Sequence, residues 1–205
     1  MFLCSRNVAL VDNSSITPTP QQLRALTHPV RLRMLGILRT EGSTTATALA
    51  QRLGLNTGAT SYHLRQLAQH GFIVDDEARG NGRDRWWRAA HASTRTSLEE
   101  YPDPADKEAL DAYLQTVVVV YTQMLQQAIE ERSTLPDDWR NATTFSDWRC
   151  RLNPEQAERL INAVSDLIEE FEKAEELPPD DATGVPYTVM FQAFPRPGGQ
   201  FGGSS

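Results

Sequence analysis

Leucines set the rhythm of the first hundred residues. Leu23 and Leu26 lie three apart, and Leu32, Leu35 and Leu38 follow His28-Pro29, a one-sided spacing that predicts a short helix from Thr19 or Pro20 and a second from about Pro29 to Thr40. Pro29 suits a helix start, where its missing N–H costs nothing. Ser43 or Thr44 can cap a third helix with Ala46, Leu49, Ala50 and Leu53 inward, and Gly54 stops it with a positive-φ turn. Asn56 or Thr57 caps a fourth, whose inward face is Ala59, Tyr62 or His63, Leu64, Leu67 and Ala68, and which ends at Gly71. The third and fourth helices, joined by a tight Gly-Leu-Asn turn, read as a helix-turn-helix.

Beyond Gly71 the period shortens. "FIVDDEA" and "RDRWWRAA", joined by the turn-rich "RGNG", predict a β-hairpin wing with one apolar strand, one aromatic strand and an arginine-studded tip. Trp86 and Trp87 alternate sides, so one of them faces the core. From Ala105 to Ser133 the helical period returns: Leu110, Leu114, Val117, Tyr121, Met124 and Ala128 form a seam about three heptads long, widened by Val118, Leu125 and Ile129. So apolar a helix needs a partner, either the same helix of a second copy, which we expect, or the chain's own core. Further on, "TTFSDWRCRL" predicts a strand, "NPEQAERLINAVSDLIEEFEKAEEL" a helix capped by Asn153, and "VPYTVMFQAF" a last strand. The expected fold class is mainly α with small β, an α+β arrangement. Residues 1–19 form an N-terminal segment with a short strand "VALV", 20–95 a winged helix-turn-helix domain, and 104–205 a dimerisation helix followed by a strand-helix-strand segment and a flexible tail.

Charge changes the picture. The chain carries −7 overall, yet between Gln21 and Arg95 eleven arginines and no lysine face five acids, a local +6 that leaves −13 elsewhere. A basic island in an acidic protein suits a polyanion: the acidic parts repel it and one face docks it. No apolar run approaches the roughly 18 residues of a membrane span, and the start lacks the features of a signal peptide. A cytoplasmic protein without membrane contact is expected. Cys4 and Cys150 match neither a zinc spacing nor a disulfide framework.

"LTHPVRLRMLGIL", "TATALAQRLGLNTGATSYHLRQLAQHGFIV" and "GNGRDRWWRAA", in that order, resemble the ArsR-type winged helix-turn-helix regulators of bacteria over Leu26 to about His91. The resemblance implies that the fourth helix enters the DNA major groove with its N-terminal residues at base edges. The small and polar residues of its first turns fit that role: Thr57, Thr60, Ser61 and Tyr62 can approach bases, Gly58 allows close backbone approach, and Arg65 can reach a phosphate or a guanine. The wing residues Arg79, Asn81, Arg83 and Arg85 are expected at the adjacent minor groove or backbone. Leu110, Leu114, Val117, Tyr121, Met124 and Ala128 are the expected dimerisation residues. Many relatives sense metals through cysteines in the first helix of the motif or through histidines and acids on the dimerisation helix. Here "TATALAQRL" has no cysteine and 105–133 no histidine or cysteine, so neither a metal nor any other cofactor is expected.

An enzyme would need a nucleophile, a base or a phosphate cradle, and none is evident; "RGNGRD" lacks the strand and helix context of a nucleotide loop. The alternative is a winged-helix protein-interaction module without DNA binding, against which the arginine island and polar helix start argue. The resulting expectation is a homodimeric, sequence-specific transcriptional regulator on an imperfect palindrome of double-stranded DNA. The aromatic residues of the C-terminal segment, Trp139, Trp148, Phe171, Tyr187, Phe191 and Phe194, could form a pocket for a small apolar effector or merely brace the dimer. Repression or activation, the operator and the target genes are not encoded in such patterns.

Overall fold

A computed structural model describes residues 15–79, 84–174 and 184–198. The expected "VALV" strand, the wing-tip residues Asn81 and Arg83, and the end of the tail lie outside them. The chain divides into two units, 1–142 and 143–205.

In the first unit, each helix begins where local chemistry satisfies its orphan amides. Helix α1 (Pro20–Leu26) opens with a capping box, in which Thr19 Oγ1 accepts from the Gln22 amide and Gln22 Oε1 accepts from the Thr19 amide. Helix α2 (Pro29–Thr40) is capped by His28, whose Nδ1 accepts from the Val30 amide at 3.2 Å. Thr45 caps α3 (Ala46–Leu53) and Asn56 caps α4 (Thr57–Gln69). Between them Gly54 sits at φ 65°, and its surroundings leave room for a side chain. Its requirement is therefore conformational: a left-handed residue turns α3 into α4, and a Cβ would be strained there.

The helices bury one leucine-rich stripe each. Leu23, Leu26, Met34, Leu35, Leu38, Leu49, Leu64 and Leu67 form a continuous core with Phe72 and with Ile73, Trp87 and Ala89 of the sheet. That sheet has the order β2-β4-β3, from β2 (Thr44–Thr45), β3 (Ile73–Asp75) and β4 (Trp86–Ala89), all antiparallel, with Thr44 opposite Trp87 and Ile73 opposite Ala89. Trp87 is buried and Trp86 half-buried, so the alternation of the wing strand places one tryptophan in the core as expected. A further parallel pair, β1 (Ser15–Ile16) with β5 (Ser93–Thr94), fastens the segment before α1 to the one after the wing.

Helix α5 (Pro104–Glu131) packs on α1 and α2. Ala109, Leu110, Tyr113, Thr116 and Val120 are buried, and Val117 lies against the core. The sequence seam is thus split: Leu110 belongs to the chain's own core, Val117 and Tyr121 are half-buried, and Leu114, Met124 and Ala128 are exposed. The inward stripe is rotated from the expected one because α1 and α2 claim the face carrying Tyr113 and Thr116. Thr116 Oγ1 donates across that contact to the Thr27 carbonyl at 3.2 Å. Tyr101, fully buried, donates to the Pro18 carbonyl at 2.6 Å and ties the approach to α5 back to the start of the domain. Arg39 of α2 donates to the His91 carbonyl (3.0 Å) and to Thr94 Oγ1 (2.9 Å), holding the exit from the wing.

In the second unit, α7 (Pro154–Ala174) forms as predicted, with Asn153 Oδ1 accepting from the Gln156 amide. The short helix α6 (Asp137–Asn141) closes the first unit. The two flanking strands expected at "TTFSDWRCRL" and "VPYTVMFQAF" are not formed in the described residues. A strand exists only where a neighbour pairs its backbone, and the described strands pair among themselves, away from these segments. Trp148, Phe171, Tyr187 and Phe194 are each more than half exposed, so the aromatic residues do not assemble the enclosed pocket considered above.

Tyr113 gives a pH prediction. Burial, reinforced by Tyr121 and Tyr101 and opposed by Arg39 and a hydrogen bond with Thr94, pushes its phenol up to about 12. The unfolded chain releases that proton near 10 and the folded chain holds it, so stability falls as pH rises from about 10 to about 12. Denaturant titrations across that range should show the decline in the native protein and a weaker one in Tyr113→Phe.

Candidate nucleic-acid interface

The first turns of α4 present two kinds of residue. Thr57 and Gly58 are exposed, Ser61 is half-buried and Tyr62 is about half exposed (51%). Thr60 departs from the expectation. It is fully buried, and its hydroxyl donates to the Asn56 carbonyl at 3.1 Å, the back-bond of a helical threonine. One turn before Leu64, it is turned into the core rather than to solvent, so it holds the helix and does not present its hydroxyl to a base. Arg65 extends on the exposed side, its Nε donating to the Ser61 carbonyl at 3.2 Å. Thr57, Gly58, Ser61, Tyr62 and Arg65 therefore share the outer side of one helix.

Gly58 accommodates a close approach in a limited sense. A Cβ there would meet Asn56 Oδ1 at 3.3 Å, so the glycine also protects the cap that starts α4.

Two wing arginines, Arg79 and Arg85, are held by aromatic rings. The Arg85 guanidinium lies 4.1 Å from the Trp87 ring centroid, and its Nε forms an ion pair with Asp75 Oδ2 at 2.6 Å. Arg79 lies over Trp86 at 5.8 Å. Cation–π contact and an exposed ion pair each contribute about 1 kcal/mol or less, so both guanidinium groups are pre-positioned at modest strength. Asp76, buried at the start of the wing loop, accepts the Ser43 hydroxyl, and its amide donates to the Trp86 carbonyl at 2.9 Å. Sequence reading missed this link between β2 and the wing; an acid beside a strand with no basic neighbour was its only sign.

A second grouping sits behind Tyr62. The His28 and His63 rings, from the start of α2 and from α4, are 4.5 Å apart, and Tyr62 meets His63 edge-on at 5.5 Å. Burial and the Arg31 guanidinium hold both imidazoles below the usual histidine range, and His28 adds to the effect at His63. Among the described residues no set of three histidine, cysteine or acidic side chains is grouped to hold a metal ion.

Comparison with known proteins agrees with this geometry where it reaches. Residues 26–75 match the model of a helix-turn-helix domain family, spanning α2, α3, α4 and β3. Over that segment the chain is similar to helix-turn-helix domains of the ArsR-like kind. No curated protein matches the chain. A solved structure described as a possible transcriptional regulator for arsenical resistance is 25% identical over 51% of this chain and 94% of that one, at a TM-score of 0.30. With the helix-turn-helix identified, α3 is its first helix and α4 its second, the one that in such domains lies in the major groove.

The two roles of the α4 start are separable. Thr60→Val keeps the volume and removes the back-bond, and should lower stability by about 1 kcal/mol while leaving DNA sequence preference unchanged. Ser61→Ala should do the reverse. Chemical denaturation and selection of bound duplexes from a random pool would read the two effects.

Proposed function

We propose that the protein is a sequence-specific, DNA-binding transcriptional regulator acting as a homodimer. The observation that carries the reading is the outer side of α4, where Thr57, Gly58, Ser61, Tyr62 and Arg65 stand together above a helix whose other side is locked by Leu64 and Leu67. Short polar groups at the helix start can meet base edges, and Arg65 can meet a guanine or a phosphate. Arg79 and Arg85, with Asn81 and Arg83 of the sequence between them, supply backbone and minor-groove contacts. These contacts set affinity and its salt dependence; the α4 start sets sequence choice.

The exposed side of α5 supports the dimer. Leu114, Val118, Val119, Leu125 and Ile129 are each at least 42% exposed along one helix, more apolar surface than a solvated helix carries without a partner. Pairing through α5 would place two α4 helices on half-sites of an imperfect palindrome about one helical turn apart. A non-enzymatic regulator that does not sense metals fits the absence of cysteine in α3 and of histidine and cysteine in α5. No described helix is long and apolar enough to cross a membrane, and we place the protein in the cytoplasm.

Two measurements test this reading. Arg65→Ala should weaken operator binding at least tenfold in a mobility-shift assay, about 1–3 kcal/mol, whereas unchanged binding by Arg65→Ala and Arg85→Ala together would contradict the docking. Val118→Glu combined with Leu125→Glu should yield a folded monomer by light scattering; a persistent dimer would move the interface off α5.

A further inference from the structure

We propose that Arg31 and His63 together form a contact for one DNA backbone phosphate on the flank of α4, and that His63 takes up a proton as the phosphate docks. This rests on the DNA-binding reading above and adds a residue pair and a proton to it.

The geometry begins with unmet hydrogen-bonding capacity. Among the described residues Arg31 Nε and His63 Nδ1 have no hydrogen-bond partner, and both atoms are enclosed although their side chains are only half-buried; enclosed polar groups are ordinarily paired, and a phosphate meets these two as the side chains turn outward on docking. Arg52 and Arg85 each hold a carboxylate, Glu41 and Asp75, at 2.6 Å. Among the described residues Arg31 has none: burial opposes its charge, and the Tyr62 hydroxyl group is what favours it. A half-buried guanidinium beside an imidazole, with no acid among the described residues acting on either, is a donor set that suits an anion, and a phosphate oxygen satisfies both. Tyr62 lies on the outer side of α4 and meets the His63 ring edge-on at 5.5 Å, which puts His63 next to the surface that meets DNA in this reading.

The chemistry distinguishes the two histidines. His28 Nδ1 already accepts the Val30 amide proton as the cap of α2, so a proton on that nitrogen would cost the cap, and His28 stays neutral. His63 Nδ1 has no such duty. In the free protein burial, His28 and Arg31 oppose a charge on His63. No carboxylate, and no group of α1, α3, α5 or the sheet, acts on either imidazole among the described residues. A phosphate between Arg31 and His63 reverses the sign of the local field and favours the imidazolium. Bound protein then holds a proton that free protein releases, so affinity rises as pH falls through the bound-state pKa and levels off below the free-state one. Folding runs the other way: both histidines lie below the unfolded value near 6.5, so the unfolded chain binds more protons there and stability falls as pH drops through it.

The test measures fluorescence anisotropy of the full chain with a labelled random-sequence duplex of about 30 base pairs at fixed ionic strength, since a backbone contact needs no operator. From pH 7.5 to 6.0 affinity should rise about threefold to tenfold. His63→Gln should flatten that rise, Arg31→Gln should flatten it and weaken binding throughout, and His28→Asn, which keeps a cap, should retain it. A rise of equal size in His63→Gln overturns the contact while leaving DNA binding intact; failure to bind any duplex overturns both. NMR titration of the native His63 ring reads the same event without substitution: its midpoint should move upward when duplex is added, and an unmoved midpoint overturns the contact.

Discussion

The structure depends on the burial of one side of α4. Leu64 and Leu67 are fully enclosed together with Thr60 among the leucines of α1, α2 and α3 and the apolar residues of the sheet. A helix so locked cannot rotate without exposing those side chains, at roughly 1.5–3 kcal/mol for each leucine. The opposite side is consequently presented at a fixed angle, and groups with weak intrinsic preferences, a serine hydroxyl, a glycine, a tyrosine edge, become a surface of defined shape. Gly54 contributes at the same level, since its left-handed conformation sets the angle at which α3 delivers the chain to α4.

Around this element the domain is closed by a few polar ties placed at the edges of the core. Tyr101 reaches the Pro18 carbonyl, Arg39 reaches His91 and Thr94, and Asp76 accepts Ser43 beside the wing. Each joins segments far apart in sequence. The wing is thereby anchored at its base, while Arg79 and Arg85 rest on Trp86 and Trp87 through contacts of modest strength. Preorganised cations on a rigid frame lose little freedom on docking, which is the economy a sequence-reading surface requires.

Much of the helical frame was legible because its cause is local. Proline at the starts of α1, α2 and α7, caps such as Asn56 and Asn153, and glycine at 54 and 71 act within one or two turns, and the leucine period marks the inward face. Tyr101, Asp76 and the His28–His63 contact were not legible, because each depends on a partner that only the fold brings near. Thr60 was misassigned for a related reason: a threonine in the first turn suits a base contact or a back-bonded core position equally, and the packing of the core decides. The seam of α5 was legible as a helix but not in its facing: Leu110 lies in the domain's own core while Leu114, Met124 and Ala128 stay exposed, since an apolar helix with several stripes does not announce which one its own domain will claim. The two C-terminal segments carry strand-like alternation, yet alternation predicts a strand only if a neighbour exists to pair with it.

The central claim is that the α4 surface and the arginine-rich wing read DNA. Its most direct test is anisotropy of the purified protein with its own upstream DNA and with random-sequence DNA, across a salt series. The account predicts tight, selective binding to the upstream duplex whose logarithmic affinity falls steeply with salt, with a slope reflecting several phosphate contacts. Equal and weak binding to both duplexes with a shallow salt slope would contradict it.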